Sequence, residues 1–199
     1  NHKPLLSGED IRRYEIIWSG NRFVDYRPKQ MKKKITARPG EPERFEQKEK
    51  IVFQRYSSTH LIATLDTKQF YTLGTTIIAR STSNYSNKYL LGIINSRLLS
   101  WWYGRSYTSP TNYIREFEQI PIRTINFDEP SDKIICDKLI TFVDKIFFLH
   151  HQLKSEKSPE LKKNLQKEIK KTDSEIDEFV YQLYGITEEE RKIIEESLK

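Results

Sequence analysis

The strongest constraint on this chain lies in its last third. From residue 135, the apolar residues Ile135, Leu139, Phe142, Ile146, Leu149 and Leu153 recur at alternating spacings of four and three. That is one stripe along a helix. The pattern breaks at "SEKSPE", where Ser158 suits an N-cap and Pro159 the first helical position. A second stripe follows through Leu161, Leu165, Ile169, Thr172, Ile176, Phe179 and Leu183. Two amphipathic helices joined by so short a turn fold back as an antiparallel hairpin. Ser131 is the expected cap of the first, and Gly185 the expected end of the second. Thr187 and Glu190 form a capping-box pattern that opens a short last helix.

The first 130 residues are patterned differently. "RFVDY" (22–26), "IVFQRY" (51–56), "HLIATLD" (60–66) and "TTIIARS" (75–81) are short, rich in β-branched and aromatic residues, and predict strands. Residues 87–104 predict a single helix, with Leu90, Leu91, Ile94, Leu98 and Trp101 on one face and Gly104 as its stop. Residues 27–50 are rich in Lys, Glu and Pro and predict an irregular excursion. The fold class expected is therefore α+β. A mixed body of several short strands fills 1–130, and the helical hairpin with its last helix fills 131–199.

Charge follows the same division. Residues 1–130 carry 21 Lys and Arg against 13 Asp and Glu, a net of +8, and residues 131–199 carry 13 against 15, a net of −2. The positive field belongs to the body and points to an anionic partner. The single cysteine, Cys136, excludes an intrachain disulfide and a cysteine zinc cluster and fits a reducing, cytoplasmic setting. No apolar run approaches the roughly 20 residues a bilayer span needs. The chain opens at Asn1 and enters pattern at once, which suggests a piece of a longer protein.

No self-contained catalytic site emerges. Asp25 with Glu46 and Lys48 could hold a magnesium ion, but "RFEQKEK" lacks the alternation of a strand and reads as solvated charge. Glu9 and Asp10 are adjacent, so a strand would place them on opposite faces. His2, His60, His150 and His151 have no metal-ligand spacing, and no glycine-rich phosphate loop exists. Catalytic and metal residues are expected to be none.

Binding is better supported. Arginines and aromatics interleave at Arg12, Arg13 and Tyr14, at Arg22 and Phe23, at Arg55 and Tyr56, and at Arg105 and Tyr107. Lys32, Lys33 and Lys34 form a basic run. Arg80, Ser81 and Asn84 combine a guanidinium with a hydroxyl and an amide, a mixture suited to base edges and sugars. Arginine forks grip phosphate or guanine in a bidentate way, and lysines attract phosphate irrespective of sequence. Candidate DNA contacts are therefore Arg12, Arg13, Lys32, Lys33, Lys34, Arg55, Arg80, Ser81, Asn84, Arg105 and Tyr107. The competing reading is an assembly module that docks an acidic protein through the basic body and the hairpin.

"LLSGEDIRRYEI" (5–16) resembles the Gly-x-Asp-Ile-x-x-Tyr opening motif of the TaqI-like C-terminal specificity domain. "EKIVFQRYSSTHLIATLD" resembles the strand pair after that motif. "YLLGIINSRLL" resembles the family's leucine–asparagine–serine helix, "EQIPI" its exit, and "EIDEFVYQLYGITEEERKII" the ending shared with type I specificity subunits. The resemblance implies a target-recognition domain for double-stranded DNA in a restriction–modification enzyme. An adenine-N6 methyltransferase and a nuclease would lie upstream as partner domains of the same chain. They would use S-adenosylmethionine and Mg2+, with no cofactor in these residues. Within the opening motif, Asp10 is expected to fix the turn or pair with Arg12 or Arg13, and whichever arginine stays free would face the phosphate backbone.

Overall fold

The computed structural model describes residues 2–33, 40–57, 60–81, 84–107, 109 and 114–198. In chain order the strands and helices begin with β1 (His2–Leu6), β2 (Ile11–Arg12), β3 (Glu15–Ile16), β4 (Phe23–Asp25) and the single-turn helix α1 (Pro28–Met31). Next come β5 (Lys50–Gln54), β6 (Ala63–Asp66), β7 (Tyr71–Thr72) and β8 (Thr76–Ala79). The helices α2 (Asn87–Ile94), α3 (Arg97–Ser106), α4 (Ile114–Phe117), α5 (Pro130–Ser155), α6 (Pro159–Tyr184) and α7 (Glu188–Ser197) complete the chain. The α+β class expected from the sequence is the class observed.

β5 is the centre of an antiparallel sheet in the order β6-β5-β8, with Ile51 opposite both Leu65 and Ala79. β1 pairs antiparallel with β4 and parallel with β7. Because side chains alternate across a strand, β5 feeds two cores. Ile51 and Phe53 join Ala63 and Leu65 in the large core under the helices, while Val52 joins Leu6, Ile11 and Phe70 in a smaller one. The large core runs without a break from Tyr14 to Ile194, so the hairpin shares its interior with the body.

The expected single helix over 87–104 is two helices. Asn95 breaks it: its amide donates to the Ala63 carbonyl and accepts from the Ala63 N–H, both at 3.0 Å, pairing with the buried outer edge of β6. Ser96 then restarts the chain as the N-cap of α3, accepting from Leu99 N–H. Gly104 lies inside α3 and does not end it. The first hairpin helix starts one residue before the expected cap, with Pro130 at its first position. Asp132, one turn in, accepts from Asn126 N–H at 2.9 Å and pairs with Arg123 at 3.1 Å. Ser158, Pro159, the left-handed Gly185 (φ 66°) and the Thr187–Glu190 capping box stand as expected. Missed entirely were β1, β7 and the small β2–β3 hairpin, each too short or too mixed to show alternation.

The helix α6 grips the body through acids. Asp173 pairs with Arg13 at 2.7 Å. Asp177 accepts from the Arg97 N–H at 2.8 Å, at the positive start of α3. Arg97 also pairs with Glu195 on α7. Burial pushes the Asp177 carboxyl up to about 6, against the pull of Arg13 and the Arg97 N–H. An acid whose folded value is raised destabilises the fold when ionised, so this cost is present above pH 6 and fades as pH falls toward 4. Asp177→Asn keeps the acceptor without the charge. It should raise thermal stability at pH 7, by an amount of order 1–2 kcal/mol, and the gain over the parent should vanish near pH 4. A difference that stays constant across that range contradicts this account.

Candidate nucleic-acid interface

The opening motif forms a tight cradle. Asp10 Oδ2 accepts from the Ser7 N–H at 2.7 Å and from the Ser7 hydroxyl at 3.1 Å, closing a single 3-10 turn over Gly8–Asp10. Asp10 thus fixes the turn, as expected; its ion-pair partner is Arg22, at 2.6 Å, rather than Arg12 or Arg13. Arg22 arrives on the segment leading into β4, beyond the reach of any local spacing rule. Gly8 N–H donates to the Thr75 hydroxyl at 2.9 Å, and a Cβ on Gly8 would stand 2.7 Å from the Thr75 carbonyl oxygen. The glycine is required for that close approach.

A cleft of about 400 Å3 opens beside this cradle, lined by Gly8, Glu9, Arg22, Gln54, Tyr56, Leu73 and Thr75. Tyr56 is 56% exposed and Leu73 41%, so an aromatic and an aliphatic side chain stand open to water among basic groups. Arg55 extends from the end of β5 and donates to the Gly74 carbonyl at 3.1 Å. Arg12 is exposed at the margin, where its guanidinium donates to the Glu9 and Ile11 carbonyls at 2.9 Å. Arg13 is held in the ion pair with Asp173. Burial lowers the His60 pKa, with Arg13 and Arg97 adding to the effect, so this imidazole lies within the field of both arginines.

The other candidates lie elsewhere. Arg80 follows β8 and is exposed. The β5–β8 register sets it level with Lys50, five residues from Arg55 along the strand, or about 17 Å at about 3.4 Å per residue. Ser81 N–H donates to Asn87 Oδ1 at 3.0 Å, and Asn84 is exposed beside it. Lys32 pairs with Glu41 at 3.1 Å, and Lys33 is exposed. Lys34 lies outside the described residues. Arg105 is exposed near the end of α3. Tyr107 packs edge-on to Trp102 and donates to Gln119 at 2.9 Å. The candidates therefore fall into separate groups at the two ends of the sheet, after α1 and at the C-terminal end of α3. Arg22, Tyr56 and Leu73 were not among them. The Arg22 and Arg55–Tyr56 pairs carried a signal in the sequence, and Leu73 carried none.

The two carboxylates considered for a metal are engaged with other groups. Asp25 pairs with Arg27 at 2.6 Å, and Glu46 accepts from Lys3 at 3.0 Å and from the Tyr71 hydroxyl at 2.7 Å. Among the described residues, no three His, Cys, Asp or Glu side chains gather as a metal site. No helix among them is long and apolar enough to cross a membrane.

A family model described as the TaqI-like C-terminal specificity domain matches residues 3–125. That span takes in the cradle, both sheets, α2 and α3, and stops before the hairpin. No curated protein matches the chain.

The cradle gives a direct test of its own geometry. Gly8→Ala should force the turn off the Thr75 carbonyl and cost about 1–3 kcal/mol, as overpacking does. A chemical-denaturation midpoint equal to the parent's would show that the turn accommodates a side chain.

Proposed function

The chain belongs to the TaqI-like C-terminal specificity domain family, and from that premise we propose that it reads a specific sequence in double-stranded DNA. The observation that carries this reading is the cleft at the Gly8 cradle. It sets exposed Tyr56 and Leu73 beside Arg22, with Arg55 next to Tyr56 in the chain and Arg12 bonded to the carbonyl of the lining residue Glu9, on a body of net charge +8. Guanidiniums supply phosphate contacts and bidentate base contacts, and an exposed aromatic supplies a stacking or apolar surface. Arg80, about 17 Å from Arg55 along the sheet, is within one helical turn of a duplex, about 34 Å. One duplex could therefore meet both groups.

The proposal extends to the rest of the protein. An adenine-N6 methyltransferase and an endonuclease upstream would perform the chemistry, with S-adenosylmethionine and Mg2+ held there, in the cytoplasm. This domain would grip the duplex while the target adenine is turned out of the stack toward the methyltransferase. The hairpin, near neutral and continuous with the core of the body, would fix the reading surface relative to those domains.

Selection from a randomised duplex pool should return a consensus. Arg12→Ala should weaken binding to all duplexes alike and reduce the salt slope by about 1. Arg13→Ala should instead lower thermal stability and leave the slope unchanged, because its partner is Asp173. A pool that returns no consensus, together with an unaltered slope in Arg12→Ala, favours docking to an acidic protein.

A further inference from the structure

A second cavity, of about 320 Å3, lies between β3, β6 and the C-terminal half of α5. It is separate from the cleft at Gly8, and its size is that of a small-molecule site. Its walls carry the rings of Tyr14, Trp18, Phe70 and Phe147. Lys68, His151 and Lys154, all exposed, stand around it. Two carboxylates are near. Asp66 is paired with Lys50, and Glu15 lies 3.4 Å from His150 Nδ1 within the field of Lys154 and Arg12. Lys68 and Lys154 bring two positive charges to the opening, against the one carboxylate of Glu15.

Four polar atoms on these walls have no hydrogen-bond partner: the hydroxyl oxygen of Thr64, fully buried in β6, the indole Nε1 of Trp18, the Tyr14 hydroxyl and His150 Nδ1. Buried polar atoms are nearly always satisfied, so four exceptions on one cavity require an explanation. The backbone is unusual here as well. Among the described residues, Tyr14 (φ 60°) and Gln69 (φ 57°) are the two non-glycine residues in the left-handed region. Tyr14 lines the cavity, and Gln69 sits between Lys68 and Phe70, which also line it. Strain of this kind concentrates at functional sites.

We propose that this cavity binds a nucleoside 5′-monophosphate, with the base between the aromatic walls and the phosphate held by Lys68 and Lys154. Flat rings receive the face of a base. The Thr64 hydroxyl and the Trp18 indole N–H supply two buried partners for its polar edge. The lysines supply the charge that a phosphate needs. An inorganic phosphate alone would leave both buried groups unanswered. The inference does not depend on the reading of the Gly8 cleft.

The test is a titration of the whole chain with deoxyadenosine monophosphate, followed by the indole N–H resonance of Trp18 in a nitrogen–proton correlation spectrum. The shift should saturate with a Kd of order 1 mM or tighter. Deoxyadenosine without the phosphate should bind about tenfold more weakly, as should the double variant Lys68→Ala/Lys154→Ala, which alters only exposed side chains. Thr64→Val should weaken binding without lowering the melting temperature, because it removes an unsatisfied hydroxyl at constant shape. Competition by a 5′-phosphorylated single strand would identify the bound unit as part of a nucleic acid, and lack of competition would identify it as a free nucleotide. The absence of a saturable shift, an equal response to inorganic phosphate alone, or affinity unchanged in both variants would overturn the proposal.

Discussion

One buried ion pair organises the body. Lys50 and Asp66 are both fully buried and face each other between β5 and β6. The Lys50 ammonium also donates to the Phe45 carbonyl at 2.7 Å. Asp66 accepts from the Lys68 N–H at 2.7 Å and the Phe70 N–H at 2.9 Å. The pair thus ties three segments together: the end of the irregular excursion, the start of the central strand and the turn that delivers β7. Because β7 pairs with β1, the same turn joins the two sheets. Removing one partner would strand a buried charge, which costs about 3–5 kcal/mol. The surrounding hydrogen bonds are what make burial of both charges tolerable.

Charge is partitioned with equal economy. The acids of α6 and α7 neutralise Arg13 and Arg97 where the hairpin meets the body. Arg12, Tyr56 and Leu73 remain exposed near the Gly8 cradle, and Arg80 remains exposed at the far end of the sheet. The hairpin therefore does more than extend the molecule. It buries its stripe in the common core, and it decides which of two adjacent arginines is available to a polyanion. Its outer part differs in character: the stripe residue Leu161 is 51% exposed, whereas Leu139 and Ile176 are fully buried.

Helix boundaries and capping in the last third were readable because they obey local rules: Ser158 before Pro159, Thr187 before Glu190, Gly185 at a left-handed stop. The strands β4, β5, β6 and β8 were readable from their composition. What failed was nonlocal. The break at Asn95 depends on a strand edge 32 residues away in sequence. The partner of Asp10 is Arg22, on a different element. The fate of Arg13 rests on Asp173, 160 positions away. Residue type alone marks arginines as available for binding, and only the packed hairpin separates Arg12 from Arg13. The cavity beside Thr64 left no trace in the sequence, since its walls come from a turn, an edge strand and a distant helix.

The central claim is that the body is a surface for duplex DNA. Fluorescence anisotropy of the chain on a random-sequence duplex, titrated at several salt concentrations, tests it most directly. The account predicts binding whose log affinity falls steeply and linearly with log salt, as phosphate contacts release counterions. Absence of binding at low salt, with retained binding to an acidic protein surface, would contradict it.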